Sequence, residues 1–442
     1  MIAKIVQADG TVLVDLGATW NINLEEMTVY PLGDGRVTRT LRIFIEGTET
    51  VQQAAHGALT DALDAAAEYH NDKASYDPIY LLWGTNNESG KYGLIWDYAL
   101  VGETGLWNES LEWPVSRWKL AITHDVDFEE TADSSVTDHN ISVEGGTVDL
   151  GATVSGGNRN GRITNVFFDP DGSTFVKKLW AGIKPARADG YANFNPVIDI
   201  NSGAPLEAST TEQTGYTEVS FSGGAGETMA ARTEVTLNDH AGAVNIKEYY
   251  GRYKVLLRYR FGSTAATTVG VRLSPGWNVP TIGQISGDFL NIVYLTSENP
   301  AAWRYVSLGE VQFPPQRGLM QATLLNFFSL VLWAERIEGT ASLQAAKYIL
   351  VPAEHNVFTE RQTTYDPTVY QYVRTTPEGD VQGYVGGAPV LETLLPTAQD
   401  WAYPYDGGLL VMAAEAAGGV ETAGLFATIT FTIRKRWQGY RL

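Results

Sequence analysis

The sequence predicts one long helix, Thr50-Val-Gln-Gln-Ala-Ala-His-Gly-Ala-Leu-Thr-Asp-Ala-Leu-Asp-Ala-Ala-Ala-Glu-Tyr-His-Asn71. Its apolar residues recur at steps of three and four, which places them along one stripe of a helix. Thr50 and Gln53 fit a capping box, and Asn71 suits the turn that ends a helix. Because the stripe is rich in alanine, we expect this helix to pack closely on a sheet. The stripe comprises Val51, Ala54, Ala55, Ala58, Leu59, Ala62, Leu63, Ala66 and Ala67.

Strands are predicted on both sides of this helix. Residues 37–45 alternate apolar and polar side chains, as a half-buried strand does. Asp9 and Gly10 are a hairpin signal between two short strands near the start of the chain. One helix among strands indicates a sheet with the helix on one face. The other strands predicted in this part are residues 2–6, 11–15, 21–30, 79–83, 92–101 and 117–123.

The composition is that of a folded chain with more than one domain. Of 442 residues, 44% are hydrophobic and 19% are charged, and 45 glycines favour strands joined by many turns. The absence of cysteine excludes disulfides and thiolate metal sites. No apolar run approaches the roughly 18 residues that span a bilayer. We therefore expect a soluble protein, used without secretion and without membrane insertion.

The negative charge is unevenly distributed. The net charge is −20, and residues 1–135 hold 8 Lys and Arg against 22 Asp and Glu, a balance of −14. Residues 136–442 hold 23 against 29, a balance of −6. Such a surface disfavours binding to nucleic acid phosphates. It is either a plain acidic surface or one that repels polyanions.

The remainder of the chain predicts a large antiparallel β unit after a boundary near residue 135. Residues 251–261 alternate most clearly, with Tyr253, Val255, Leu257, Tyr259 and Phe261 on one face. Many short strands with turn residues between them are typical of a jelly-roll sandwich. The fold class predicted is therefore mainly β, with a sandwich and one packed helix over residues 1–135 and a jelly roll over residues 136–442.

No motif predicts catalysis, a cofactor or a metal. The six histidines are scattered, and neither a nucleophile elbow nor a phosphate-binding loop is present. His124-Asp-Val-Asp127 could ligate a metal, but a charged strand end is the interpretation that we favour. Asp169-Pro-Asp-Gly172 resembles the opening of a calcium loop without its later ligands, so a hairpin turn is favoured there. We predict that the protein is not an enzyme and that it has no catalytic, cofactor-binding or metal-binding residues.

Aromatic and basic residues leave binding functions open. The chain has 12 Trp and 22 Tyr, most of which we expect to pack in or over a core. The alternative is that some stack on sugars or pack on another chain, and a basic chain end could be a salt-bridged strand terminus or an interface with an acidic neighbour. The aromatic candidates are Trp277, Trp303, Tyr365, Tyr370 and Tyr372, and the basic residues are Arg434, Lys435, Arg436 and Arg441.

The order of elements resembles the distal tail proteins of phages with long non-contractile tails. The first part of the resemblance comprises the strand 37–45, the helix 50–71, the strands 79–83 and 92–101, and Glu112-Trp-Pro-Val-Ser-Arg-Trp-Lys-Leu. It is similar to a tail-tube-like sandwich with one packed helix. The second part, from residues 251–261 to the closing strand 427–437, resembles a galectin-like or carbohydrate-module-like jelly roll. Residues 358–405 have no counterpart in it.

The resemblance implies a structural protein of the virion, assembled in the host cytoplasm. It would form a hexameric ring between the tail tube and the tail-tip hub, and DNA would be a transient passenger in the channel. The family has no catalytic residues to transfer. The alternative function is a module that binds glycans on a viral or cell surface.

Overall fold

Strands make up most of the structure, in agreement with the mainly β fold class. The structure is a computed structural model. It describes residues 2–16, 22–32, 36–72, 75–84, 92–102, 115–125, 127–129, 135–142, 145–150, 159–170, 176–185, 194–200, 210–213, 215–221, 223–236, 249, 251–279, 283–286, 290–297, 303–313, 327–353, 358–359, 371–375, 381–385, 388–390, 402–404, 406–416 and 426–438.

The described residues form a single α-helix, α1 (Glu49–Asn71), and thirty strands. The strands of the first half are β1 (Ile2–Gln7), β2 (Val12–Asp15), β3 (Ile22–Pro31), β4 (Arg36–Glu46), β5 (Ile79–Gly84), β6 (Tyr92–Gly102), β7 (Val115–Asp125), β8 (Asp127–Glu129), β9 (Ser135–Ser142), β10 (Gly146–Asp149), β11 (Arg159–Pro170), β12 (Val176–Pro185), β13 (Val197–Asp199), β14 (Thr210–Gln213) and β15 (Tyr216–Val219). Those of the second half are β16 (Thr228–Thr236), β17 (Gly251–Phe261), β18 (Thr268–Val279), β19 (Gly283–Ser286), β20 (Val293–Thr296), β21 (Arg304–Phe313), β22 (Phe327–Glu338), β23 (Leu343–Pro352), β24 (Phe358–Thr359), β25 (Gln371–Thr375), β26 (Val381–Val385), β27 (Ala388–Val390), β28 (Ala402–Tyr403), β29 (Gly408–Ala416) and β30 (Phe426–Gln438).

The chain divides into two compact units. The first comprises residues 1–136, 154–164 and 432–442, and the second comprises residues 137–153 and 165–431. Two later segments of the chain therefore return to the first unit. The division into domains 1–135 and 136–442 stays a prediction.

Two antiparallel strand sets form the first unit. Strands β2, β1, β5 and β6 pair in that order, and β6 also pairs with β7, which is followed by β4 and β3. Along β4 the buried positions alternate as predicted, and they include Arg39 as well as Leu41 and Ile43. The hairpin between β1 and β2 turns at Gly10, where φ is 87° and the Gln7 carbonyl accepts the Gly10 N–H at 3.0 Å.

The helix α1 packs against β2, β4, β5 and β6. Of the predicted stripe, Ala54, Ala58 and Ala67 are exposed. Alanine is small and suits either face, so the larger Leu and Tyr side chains determine which face is buried. The buried residues are Leu59, Ala62, Leu63, Ala66 and Tyr69.

The predicted capping box at Thr50 and Gln53 is wrong. The helix begins at Glu49, and its N-cap is Thr48, which makes no side-chain capping hydrogen bond. Gln52 Nε2 instead donates to the Gly47 carbonyl at 2.9 Å. At Gly47 φ is 124°, and a Cβ there would lie 2.8 Å from Val51 Cγ1, so this entry turn requires glycine.

A jelly roll occupies residues 216–352 of the second unit. Strands β15, β23, β17 and β21 are neighbours in one sheet, and β16, β22, β18 and β20 are neighbours in the other. Counted along the chain, these are strands 1-8-3-6 and 2-7-4-5 of eight, the interleaving that a jelly roll has. Strands β13 and β14 complete the first, six-stranded sheet, and β19 completes the second, five-stranded sheet.

The core of the jelly roll lies between its two sheets. The face of β17 that the sequence predicts as buried is buried. It belongs to one cluster with apolar residues of β18 and β22 from the opposite sheet. These residues are Tyr253, Val255, Leu257, Tyr259 and Phe261 of β17, Val269, Val271 and Leu273 of β18, and Phe328, Leu330, Leu332 and Ala334 of β22.

A third layer covers the other face of the six-stranded sheet. A four-stranded sheet, in the order β10, β29, β12 and β24, adds Trp180, Val411 and Ala413 to the same core. The Trp180 and Tyr305 ring centroids are 5.7 Å apart. Every residue of β23 except Lys347 is buried as a result. The opposite face of β17 is therefore also buried at Leu256 and Arg258.

We expect Leu59→Asp to unfold the helix region, because it would place an unpaired charge at a fully buried position. Loss of the leucine side chain alone costs about 2–5 kcal/mol at such sites. Thermal unfolding and hydrogen exchange of α1 peptides in the full chain would measure the effect. Ala58→Asp is the matched control, since Ala58 is the exposed neighbour on the same helix. Equal stability of the two variants would contradict the packing described.

Candidate functional site

His124, for which we favour a strand-end role over metal binding, is a buried residue of β7. Arg39 Nε donates to His124 Nε2 at 2.8 Å. The ring proton therefore lies on Nδ1, which donates to the Asp125 carbonyl at 2.7 Å. Asp125 Oδ1 accepts the Trp96 Nε1–H at 2.6 Å. Both ring nitrogens are thus in use, and the described residues contain no group of three His, Asp or Glu side chains that could hold a metal.

Burial makes this pair sensitive to pH. His124 is 0% exposed, and burial, reinforced by the positive charge of Arg39, lowers the pKa of His124 to about 3. Burial also lowers the pKa of Arg39 to about 10, and the Arg39 Cζ lies 4.7 Å from the Trp83 ring centroid. At neutral pH a neutral imidazole therefore accepts from a charged guanidinium. The arrangement stabilises the first unit and offers no open ligand position.

A different cluster lies at one margin of the six-stranded sheet in the second unit. Three neighbouring strands, β15, β23 and β17, contribute to it, together with Trp303, the residue that precedes β21. Because alternate residues share a face, Arg258 and Arg260 point to the same side of β17. The Tyr305 N–H donates to Oε2 of Glu415, a residue of β29 in the four-stranded sheet, at 3.1 Å. The Trp303 site, as we name it, comprises Tyr216, Glu218, Arg258, Arg260, Trp303 and Gln344.

A row of hydrogen bonds orders the polar side chains of the Trp303 site. Glu218 pairs with Gln344, and Gln344 pairs with Arg260, in the registers of adjacent strands. Arg260 Nε donates to Gln344 Oε1 at 2.6 Å, and Gln344 Nε2 donates to Glu218 Oε1 at 3.5 Å. The Ser342 hydroxyl donates to the same carboxylate oxygen at 2.5 Å. The amide orientation of Gln344 is thereby determined by a donor on one side and an acceptor on the other.

Gly262 leaves the space that this row needs. A Cβ at Gly262 would lie 2.4 Å from Ser342 Oγ and 3.3 Å from both Gln344 Nε2 and Glu218 Oε1. Any larger side chain would displace the Ser342 hydroxyl or the groups behind it. The glycine therefore maintains a polar recess beside Arg260.

Two aromatic rings border the row. The Tyr216 and Trp303 ring centroids are 6.0 Å apart in an edge-to-face arrangement. The guanidinium carbons of Arg258 and Arg260 lie 4.8 and 4.5 Å from the Trp303 centroid, and that of Arg260 lies 5.4 Å from the Tyr216 centroid. Tyr216, Trp303 and Arg260 are half-buried, whereas Arg258 is buried. The site thus combines partly exposed rings with ordered donors and acceptors.

The structure locates some of the residues singled out from the sequence and not others. Trp303 lies in the Trp303 site, and Arg436 lies opposite Glu129 in the pairing of β30 with β8. The side chains of Trp277, Tyr365, Tyr370, Tyr372 and Arg441, and the turn at residues 171–172, lie outside the described residues. Sequence reasoning missed Glu218 and Gln344, which are 126 residues apart. Arg258 and Arg260 could have been found from their alternation along β17.

Comparison with known proteins does not assign the chain to a family. No family model matches the chain, and no curated protein matches it. Among solved structures, the CBM22-1 xylan-binding domain of Paenibacillus barcinonensis Xyn10C is similar at 12% identity and a TM-score of 0.18, over 36% of this chain and 94% of that one. Its CBM22-1-CBM22-2 tandem domain is similar at 7% identity and a TM-score of 0.18, over 54% of this chain and 96% of that one.

The mosquito-larvicidal Cry4Aa toxin of Bacillus thuringiensis is similar at 9% identity and a TM-score of 0.20, over 77% of this chain and 44% of that one. TM-scores of this size carry no argument about function. Among the described helical residues, no segment is long and apolar enough to cross a membrane. Any function must therefore be argued from the residues themselves.

We expect acid to destabilise the first unit through His124. The unfolded histidine, with a pKa near 6.5, takes up a proton below that pH, whereas the folded one stays neutral until about pH 3. Stability from this group is complete above pH 6.5 and is lost as the pH falls, by about 2 kcal/mol between pH 6 and pH 4.5. Urea unfolding of wild type and His124→Gln at the two pH values would measure it. The pH-dependent loss should be smaller by that amount in the variant, and an equal loss in both proteins would contradict the assignment.

Proposed function

We propose that this protein binds a glycan, without catalysis, at the Trp303 site. The observation that carries the proposal is the hydrogen-bonded row of Arg260, Gln344 and Glu218 beside the half-exposed rings of Trp303 and Tyr216. Sugars are amphipathic, because the C–H faces of a pyranose are apolar and its hydroxyls both donate and accept hydrogen bonds. A partly exposed ring edge and an ordered set of donors and acceptors suit both properties.

The three polar side chains of the row differ in chemistry. Arg260 offers only donors, Glu218 only acceptors, and Gln344 both. Neighbouring hydroxyls on a sugar ring require such a mixture, since each can donate to one group and accept from the next. Because the row spans three paired strands and its members hydrogen-bond to one another, the groups are positioned before a ligand arrives. Such preorganisation lowers the entropic cost of binding.

A second candidate function, a ring-forming structural protein of a phage tail, rests on the edge of the first unit. Within the described part of the chain β3 pairs only with β4, so one side of this ten-residue strand is an open edge. Tyr30 and Leu32, at its end, are 54% and 52% exposed. Open edges with exposed apolar side chains are natural surfaces for pairing with another copy.

This candidate implies the assembly given above for distal tail proteins, namely a hexameric ring in the virion that contacts tube and hub. The balance of −14 over residues 1–135 would then disfavour DNA sticking to the channel wall. The two candidate functions are compatible, since assembly would use the first unit and glycan binding the second.

We expect Trp303→Ala to weaken glycan binding strongly, because it removes the ring against which Arg258 and Arg260 lie. A glycan array probed with the full chain, followed by calorimetry on the bound sugars, would measure the loss. Removal of a stacking aromatic typically weakens binding by more than about tenfold.

Trp333→Ala is the matched control for this experiment. Trp333 is also a half-buried tryptophan next to an arginine, with Arg272 Cζ 6.0 Å from its centroid, but it lies on β22 of the other sheet. Binding should survive this change. Equal losses in both variants would contradict the assigned site, and the absence of any bound glycan would contradict the proposed function.

We expect the wild-type protein to form closed oligomers and Tyr30→Lys to weaken them, since lysine on an edge strand opposes pairing. Mass photometry of the full chain over a range of concentrations would measure both. Tyr76→Lys is the control, because Tyr76 is also exposed, at 44%, and lies outside the strands. A strictly monomeric wild type would contradict the ring, as would equal effects of the two substitutions.

A further inference from the structure

We propose that the Trp303 site selects glycans that carry a carboxylate, such as those with uronic or sialic acid residues. This inference rests on the proposed glycan binding and names the class of sugar. Two guanidinium groups approach one indole ring, at 4.8 and 4.5 Å, within a chain whose net charge is −20. Both positive charges therefore lie against a ring that is itself partly exposed.

The acidic groups nearby already accept hydrogen bonds from other donors. Glu218 Oε1 accepts from Ser342 and Gln344, and Glu415 Oε2 accepts from the Tyr305 N–H. Among the described residues, no carboxylate forms an ion pair with Arg260. The Nε hydrogen bond of Arg260 goes to the neutral Gln344 amide instead. The charge of Arg260 is therefore oriented by its neighbours without being neutralised by a direct ion pair.

The geometry of Arg260 suits a carboxylate. Its bond to Gln344 uses one of the five N–H donors of a guanidinium, and the remaining four belong to the terminal amino groups. A guanidinium binds a carboxylate through two parallel hydrogen bonds, which a neutral hydroxyl cannot replace. Arg258 lies two residues before it on the same face and adds to the local positive potential. Lys347 of the adjacent strand pairs with Arg258 on one side and with Asp199 of β13 on the other.

The overall negative charge of the chain does not outweigh this local potential. At physiological salt, charges more than about 8 Å apart on the surface are largely screened. A small acidic sugar at Trp303 therefore responds mainly to the two guanidinium groups that lie against the ring, those of Arg258 and Arg260.

Matched pairs of neutral and acidic sugars provide the test. We would measure binding of the full chain to oligogalacturonate and galacto-oligosaccharide, and to sialyllactose and lactose, by calorimetry at low and at high salt. In at least one pair the acidic member should bind about tenfold tighter or more, and this preference should shrink at high salt.

Two substitutions on β17 test whether Arg260 is responsible for the preference for acidic over neutral sugars. Arg260→Gln should reduce the acidic-to-neutral ratio toward one while leaving weak neutral binding. Arg252→Gln is the control, because it removes the same charge from the same strand. Arg252 is 49% exposed, and its Nε lies 3.5 Å from Glu310 Oε2. This variant should leave the acidic-to-neutral binding ratio unchanged. The salt dependence of the wild type tests the inference even if Arg260→Gln does not fold.

The outcomes separate the inference from the proposed function. Equal or tighter binding of the neutral sugars would overturn the carboxylate preference and leave glycan binding intact. An acidic preference that is insensitive to salt, or equally reduced by Arg252→Gln and Arg260→Gln, would also overturn it. If no sugar of either class binds here or on a glycan array, the proposed function itself fails.

Discussion

The six-stranded sheet of the jelly roll is covered on both faces, and the site depends on this constraint. Buried backbone groups in such a sheet are satisfied by the strand ladders, but a charged side chain cannot be left without partners there. Strand β23 consists of apolar residues along almost its whole length, so few of its side chains require polar partners. Arg258 and Arg260 of β17 lie beside Trp303, near one end of the strand. The Trp303 site thus adjoins the covered region, where Glu415 of the four-stranded sheet accepts the Tyr305 N–H.

In both units an arginine guanidinium packs against a tryptophan ring. In the first unit Arg39 lies over Trp83 and binds a neutral histidine, and it is 4% exposed. In the second unit Arg258 is similarly buried at 5%, whereas Arg260, two residues away, is half-exposed. A desolvated cation–π contact contributes about 2 kcal/mol, which offsets part of the cost of burying the charge. Because of this difference in exposure, Arg258 is a structural residue, whereas Arg260 can also contact a ligand.

The two units differ in what they leave uncovered. The first unit encloses its polar network around His124, and among the described strands β3 pairs on one side only. The second unit leaves an ordered row of polar side chains and two ring edges. Backbone edges favour pairing with other chains, and side-chain rows favour recognition of a small, polar ligand. This difference is the basis on which we propose an assembly role for the first unit and a binding role for the second.

The sequence by itself determined the mainly β class, the single long helix and the buried face of β17, because each depends on a local period of apolar residues. It failed at the helix start, where a positive φ at Gly47 and a side chain bonded to the Gly47 carbonyl replaced the expected capping box. It could not show that Arg258 is buried, since this depends on a sheet whose strands lie more than seventy residues away along the chain. Only the tertiary structure brought Glu218, Arg260, Trp303 and Gln344 together, because strand order and register in a jelly roll are set by pairing between distant segments.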